Sequence, residues 1–406
     1  MRQVSKFAAL FMATAMFAAC SNDDSTSNQM EKGAGTIVVN LKNGAATRAT
    51  EAATGDEKAV KNLEFYVFDA NGNLDAKTPY VLIPSNKLES DNTYQFQVSA
   101  GTDNQVLVVA NASIGKPGDT ATPAFPATAT LADIQKRLSS GSFNDQNSRV
   151  VPSTGLEMSD VQTFSVAEGE IKNVTIKLNR LSSKIHAPQM NATGVAVTLD
   201  TQEDVDKAFG GNSGLTPQDQ FSFSFTGYAL INGVQKSDVW DDHNFSTWVE
   251  ASYTNYYLTS TFDANGDFTK AYSGQNSLGS YLLNTTEAPF VYVYENSPKR
   301  VADASGQVGT IAGQVYAFII EGTLTSGTTN SQPRYWRVNF LRADNYKIVR
   351  NAAYTITLDK ITTPGYATPE EATGGNDDVI PDNDKSSVNF TIEVTDWDAM
   401  SENTQV

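Results

Sequence analysis

VKNLEFYVFDANG, residues 60–72, decides the fold class of this chain. Leu63, Phe65 and Val67 recur at period two, Phe68 follows, and the run stops at Asp69-Ala70-Asn71-Gly72. Asn-Gly is the favoured tight turn between antiparallel strands, so the segment reads as a strand entering a hairpin. The same pattern repeats outward. TYQFQVSA (93–100) alternates Tyr94, Phe96 and Val98. VLVVAN (106–111) is continuously apolar, the signature of a strand buried on both faces. FSVAEGEIKNVTIKLNRLSSKIHA (164–187) provides two or three strands, with Val174, Ile176 and Leu178 alternating. Upstream, GTIVVNLK (35–42) reads as a short strand with Val38 as its central apolar position, and 43–58 as a loop.

The second half continues in the same style. VAVTLD (195–200), FSFSFTGYALI (221–231), APFVYVYEN (288–296), QVYAFIIEGTL (314–324), YWRVNF (335–340), AAYTITLDKI (352–361) and VNFTIEVTDW (388–397) all read as strands. Helices are few: TLADIQKRLSS (130–140) with Thr130 as N-cap, and a short one over 203–210. PGYATPEEATGGNDDVIPDNDK (364–386) reads as an acidic flexible linker before the last strand. Many short strands separated by turn residues predict a mainly β protein of β-sandwiches with one or two short helices. At 406 residues the chain has room for two such units.

Charge and composition exclude several functions. Lys+Arg number 29 and Asp+Glu 46, a net charge of −17, which argues against a nucleic-acid partner. The two histidines, His186 and His243, lie far apart without flanking ligands. DANGNLD (69–75) and DANGDF (263–268) lack the spaced oxygens of a calcium loop and read as turns. No nucleotide, hydrolase or metal motif is present, so the reading is a non-enzyme with no catalytic residue, metal site or cofactor. The aromatics Trp248, Tyr253, Tyr256 and Tyr257 could stack on sugars, which leaves an anchored glycan-binding β-sandwich lipoprotein as the alternative function.

The N-terminus carries the processing signals. Arg2 and Lys6 precede an apolar run over 7–19 that ends in Ala18-Ala19-Cys20. Such a run is too short to span a hydrocarbon core of about 30 Å and reads as a signal peptide. Cys20 is the only cysteine, placed as in a lipobox, so it is the expected lipidation site, and Asp23 and Asp24 follow it. Arg48 stands alone in an Ala/Thr-rich loop, and with Cys20 it points to covalent processing.

The chain resembles the FimA/Mfa-type fimbrillins, subunits of type V pili. The likeness lies in AAC (18–20), Arg48 after an Ala/Thr run, LEFYVFDANG (63–72), VLVVAN (106–111), MSD (158–160) and LNRLSSKIH (178–186). It continues in VYVYEN (291–296), YWRVNF (335–340), IVRNAAYTITLDKI (348–361) and VNFTIEVTDW (388–397). The resemblance implies two transthyretin-like β-sandwich domains, 49–183 and 184–406, behind a signal peptide (1–19) and a propeptide with tether and first strand (20–48). It implies export as an outer-membrane lipoprotein, cleavage of the Arg48–Ala49 bond by an arginine-specific protease and a destination in the cell-surface fimbrium. Other copies of the chain and accessory fimbrial subunits would be its partners, with surface ligands on host or bacterial cells for adhesion and biofilm formation. A tip or anchor subunit is the alternative to a shaft subunit. The expected donor strand is 388–397, with Val388, Phe390, Ile392 and Val394 on one face. Burying four such side chains is worth about 6–12 kcal/mol before ordering losses.

Overall fold

A computed structural model describes residues 32–43, 50–51, 53, 55–112, 114–119, 126–135, 151–231, 289–295, 300–302, 308–311, 315–340, 348–373, 379–381 and 388–397. The N-terminal strands are β1 (Ala34–Asn43), β2 (Thr50–Glu51), β3 (Leu63–Phe68), β4 (Tyr80–Ile83), β5 (Thr93–Ser99), β6 (Gly101–Ala110), β7 (Met158–Val166) and β8 (Ile171–Arg180). Then come β9 (Ser182–His186), β10 (Gln189–Met190), β11 (Ala196–Val197), β12 (Ser222–Ile231), β13 (Phe290–Tyr294), β14 (Arg300–Ala302) and β15 (Val308–Ile311). The last are β16 (Ala317–Ser326), β17 (Thr329–Asn330), β18 (Arg334–Asn339), β19 (Ala352–Ile361), β20 (Val379–Pro381) and β21 (Val388–Trp397). The described helices are α1 (Leu131–Gln135), α2 (Gln202–Phe209) and α3 (Pro369–Thr373).

One sheet runs in the order β4-β3-β6-β7-β8-β1-β5. It bends at β7, which pairs with β6 over most of its length and with β8 only at Met158↔Arg180 and Ser159↔Asn179. The two halves therefore face each other across one core. Leu63, Phe65, Val67, Val106 and Val108 come from one half, and Ile37, Val39, Leu41, Tyr94, Phe96, Ile176 and Leu178 from the other. The Phe65 ring bridges them, with its centroid 5.4 Å from Tyr94 and 4.8 Å from Phe96.

The second core lies between β13-β9-β19-β21-β2 and the smaller sheet of β12, β16, β17 and β18. The opposite faces of β3 and β6 also reach it, through Tyr66, Phe68, Leu107 and Val109. That double duty is why 106–111 has no polar alternation. The chain passes from the first sheet to the second between Arg180 and Ser182. The mainly β class expected from the sequence holds.

Several local readings change. Val38 is half-buried and faces away from the first core, which takes Ile37, Val39 and Leu41 from β1. The expected strand over 195–200 shrinks to Ala196–Val197, because the following residues lead into α2, whose N-cap is Thr201. In 364–386 the expected flexible linker contains α3 and β20. Its beginning is docked: the Arg334 side chain donates to the carbonyls of Pro364 (3.0 Å) and Gly365 (2.5 Å), and just before it Trp336 Nε1 donates to the carbonyl of Thr363 (3.2 Å). Gly365 (φ +67°) permits this approach, since a Cβ there would sit 2.6 Å from Trp336 Cε2. The 130–140 helix is described over Leu131–Gln135. Thr130 N and Oγ1 both donate to Asp133 Oδ2 at its start.

Candidate functional site

Of the residues singled out by sequence, Cys20, Arg48, Ala49, His243 and the aromatics of 248–258 lie outside the described residues. Asp69 forms the expected turn: its Oδ1 accepts from the backbone N–H of Asn71 (2.8 Å) and Asn73 (2.9 Å). Turn amides thus occupy the carboxylate that a calcium loop would use. Among the described residues no group of three or more His, Cys, Asp or Glu is placed to hold a metal. No described helix is long and apolar enough to cross a membrane.

The distinctive geometry surrounds the two ends of the described chain. β1 is an interior strand. It runs antiparallel to β5, from Ala34↔Ser99 to Asn40↔Thr93, and parallel to β8, from Thr36↔Ile171 to Asn43↔Leu178. Ile37 and Val39 are 0% exposed and Leu41 6%. Without β1, both neighbours would present unpaired backbone groups beside an apolar slot. The slot ends at Gly35. A Cβ there would lie 2.4 Å from Val166 Cγ2 and 2.8 Å from the Ala167 carbonyl oxygen.

The chain that follows segment 44–49 belongs elsewhere. Thr50 and Glu51 pair parallel with Asp396 and Trp397 of β21. Ala53 is buried in the second core. Glu57, in the turn Gly55–Lys58, is 3% exposed. Its Oε1 lies 3.1 Å from Lys184 Nζ and accepts from Tyr292 OH at 2.7 Å. Its carbonyl accepts from Arg180 Nε (3.1 Å) and Nη2 (3.0 Å). Lys184 Nζ also sits 4.4 Å from the centre of the Phe290 ring. This ion pair joins the residues after the expected cut to the β13-β9 edge of the second core's sheet. By sequence, 43–58 reads as a plain loop. Burial of a charge in GDEK has no periodic signature, and its partners lie more than a hundred positions away.

β21 closes the second half. It pairs antiparallel with β19 from Ala352↔Asp396 to Ile361↔Val388, with one irregularity between Leu358 and Lys360. Val388 is buried, and Phe390 and Ile392 are partly buried against the second core. Val394 lies opposite Tyr354 in the backbone register. In the single chain the last strand is therefore at home in its own sheet, and among the described residues only the two-residue β2 lies beyond it.

Glu64 is a second buried carboxylate, 2% exposed on β3. It accepts from Tyr80 OH (3.1 Å) and the Ile114 N–H (3.1 Å). Tyr66 OH lies 2.9 Å from Glu64 Oε2 and 2.7 Å from the Gly115 carbonyl. Burial pushes the Glu64 carboxyl above the usual carboxylate range, opposed by these hydrogen bonds.

The comparisons agree with this layout. The family of the major fimbrial subunit protein (FimA) matches residues 35–206. The C-terminal family of the major fimbrial subunit protein type IV, fimbrillin, matches 339–403. The first match includes β1 and the second includes β19 and β21. No curated protein matches the chain. Among solved structures, the fimbrilin FimA of Porphyromonas gingivalis shares 17% identity at a TM-score of 0.51, covering 90% of this chain and 98% of that one. A Parabacteroides distasonis protein, described as a candidate cell adhesion protein, shares 16% at a TM-score of 0.52, covering 90% and 99%. Those likenesses carry the fold, and the two family matches, which together span most of the sequence, carry the identity: the chain belongs to the fimbrillin family and is a subunit of a cell-surface fimbrium.

Proposed function

We propose that this chain is a shaft subunit that polymerises by exchanging one strand for another. It would be exported as a lipoprotein on Cys20 and carried to the outer membrane surface. An arginine-specific protease would then cut the Arg48–Ala49 bond. The observation that carries this reading is the position of β1: an interior strand of the first sheet, joined to the rest of the chain through segment 44–49. Cutting there turns β1 from a covalent part of the sheet into a bound peptide that can be replaced.

The exchange has a physical driving force. At home, β21 has one full neighbour, β19, and a two-residue contact with β2. In the slot vacated by β1 a donated strand would have two, β5 and β8. Once the cut β1 peptide has left, that move adds one ladder, worth about 1 kcal/mol per backbone hydrogen bond; release of β1 forfeits its own two ladders, so exchange goes forward where the freed peptide is diluted away. The side chains of Val388, Phe390, Ile392 and Val394 would refill the apolar face, the strand-addition mode of recognition. Donor and slot lie on different parts of the molecule, so the contact is head-to-tail and propagates as a filament. Accessory fimbrial subunits would complete the fibre, and adhesion and biofilm formation would follow from its surface display.

The test is direct. Arg48→Ala should leave an uncut, lipidated chain that forms no fibres, and deletion of 388–406 should abolish polymer while secretion persists. Normal SDS-resistant ladders from Arg48→Ala would overturn the reading.

A further inference from the structure

Which donor register the slot accepts is a separate question, and its answer rests on the strand-exchange reading above. The slot has a seat for every second residue of its occupant. In β1 these seats hold Gly35, Ile37, Val39 and Leu41, all on the face toward the first core. They are not equivalent. The seat of Gly35 is closed to any side chain, because Val166 Cγ2 and the Ala167 carbonyl stand 2.4 and 2.8 Å from where a Cβ would be. Val166 is itself buried, at 2% exposure, and valine has little rotamer freedom with which to yield. The carbonyl is backbone, in the bend where the Gly169 N–H donates to the Ala34 carbonyl at 2.9 Å. Gly35 thus marks a floor.

VNFTIEVTDW contains no glycine. A donor must therefore fill the three open seats while bringing no strand residue to the floor. If it ran opposite to β1, filling those seats with three of its apolar residues would bring Val394 or Asp396 to the Gly35 seat. Running in the direction of β1 with Phe390 at the Ile37 seat would bring Val388 there. With Val388 at the Ile37 seat, only Ser386 reaches the floor, and Ser386 precedes the first residue of β21, so the chain can leave the sheet at that level.

We infer that Val166 and the 166–167 backbone set the register of assembly: a second copy's β21 enters parallel to β8. Val388, Phe390 and Ile392 take the seats of Ile37, Val39 and Leu41. Ile392 replaces Leu41 with a side chain of equal carbon count. Phe390 is larger than Val39, and its ring would meet Tyr94, Phe65 and Phe96, which must shift to admit it. Asn389 then takes the outward seat of Val38, opposite Gln95 of β5.

Cysteine pairing reads the register. The mature chain after Arg48 contains no cysteine, so introduced pairs are unambiguous. Three double variants are compared after cutting with an arginine-specific protease and mild oxidation: Asn389→Cys, Ser387→Cys and Thr391→Cys, each with Gln95→Cys. The proposal expects covalent, reductant-sensitive ladders from the Asn389→Cys pair, at least tenfold stronger than from the others. Fibres of the unsubstituted chain, seen by electron microscopy, establish that exchange occurs at all. Fibres together with ladders from the Thr391→Cys or Ser387→Cys pair would overturn the register while leaving strand exchange standing. Absence of fibres from the cut, unsubstituted chain would overturn both.

Discussion

Residues 34–43 and 50–58 flank the same short segment, 44–49, yet different physics holds each of them. The first flank is held by backbone ladders on both sides and by Ile37, Val39 and Leu41 against an apolar core. Any strand with a compatible alternation can make such bonds. The second flank is held by the buried Glu57–Lys184 pair, by Tyr292, and by the Arg180 guanidinium on the Glu57 carbonyl. Those bonds need that carboxylate at that place. The contrast indicates which side of a cut can be exchanged: the generic flank can leave, and the specific one stays with the subunit.

The largest effect should come from the specific flank. Lys184→Met strands a buried carboxylate and should destabilise the chain by about 3–5 kcal/mol in urea unfolding. Glu57→Gln combined with Lys184→Met should recover part of that loss; if the double variant is no better than the single, the pair is not what holds this flank. Next, Leu41→Ala in β1 should cost about 2–4 kcal/mol, whereas the conservative Leu41→Ile should cost under ~1.5 kcal/mol. A severe loss from the isosteric change would contradict the generic character assigned to β1. Gly35→Val should cost about 1–3 kcal/mol through overpacking against Val166 and the Ala167 carbonyl, and should loosen β1 alone. Hydrogen exchange localised to 34–43 would identify it.

The smallest effect is a slope. Glu64 holds its proton above its unfolded value of 4.5 because burial disfavours the anion. Stability from this group is fully present below that value and is lost as pH rises through the folded pKa. Glu64→Gln should therefore flatten the decline of stability with rising pH over that window. An unchanged slope would show that the carboxyl binds its proton equally in the folded and unfolded chain. Glu64 lies on the face of β3 shared with Tyr66 and Ile114, away from both flanks, so it serves as a control on the comparison.

Much of the fold was legible because period-two alternation survives wherever one face is buried. Tyr94, Phe96 and Val98, or Val174, Ile176 and Leu178, point inward as their spacing requires. Legibility failed where tertiary contacts replace pattern. The strand Tyr80–Ile83 is short and partly exposed on an edge, with Leu82 49% exposed, and carries no alternation to read. The start of 364–386 looks like linker because of its Pro and Gly, but the Arg334 side chain captures the carbonyls of Pro364 and Gly365. For the candidate site, the alternation of 388–394 was visible, while the interior placement of β1 was not. A strand's neighbours, unlike its faces, are set by partners remote in sequence: Thr93–Ser99 on one side and Ile171–Arg180 on the other.

The most direct measurement is the intact mass and N-terminal sequence of subunits taken from assembled surface fibres. The account predicts chains that begin at Ala49, with no peptide from 34–43 retained beside them. Fibres built from chains that still begin at an acylated Cys20, with β1 in place, would contradict it.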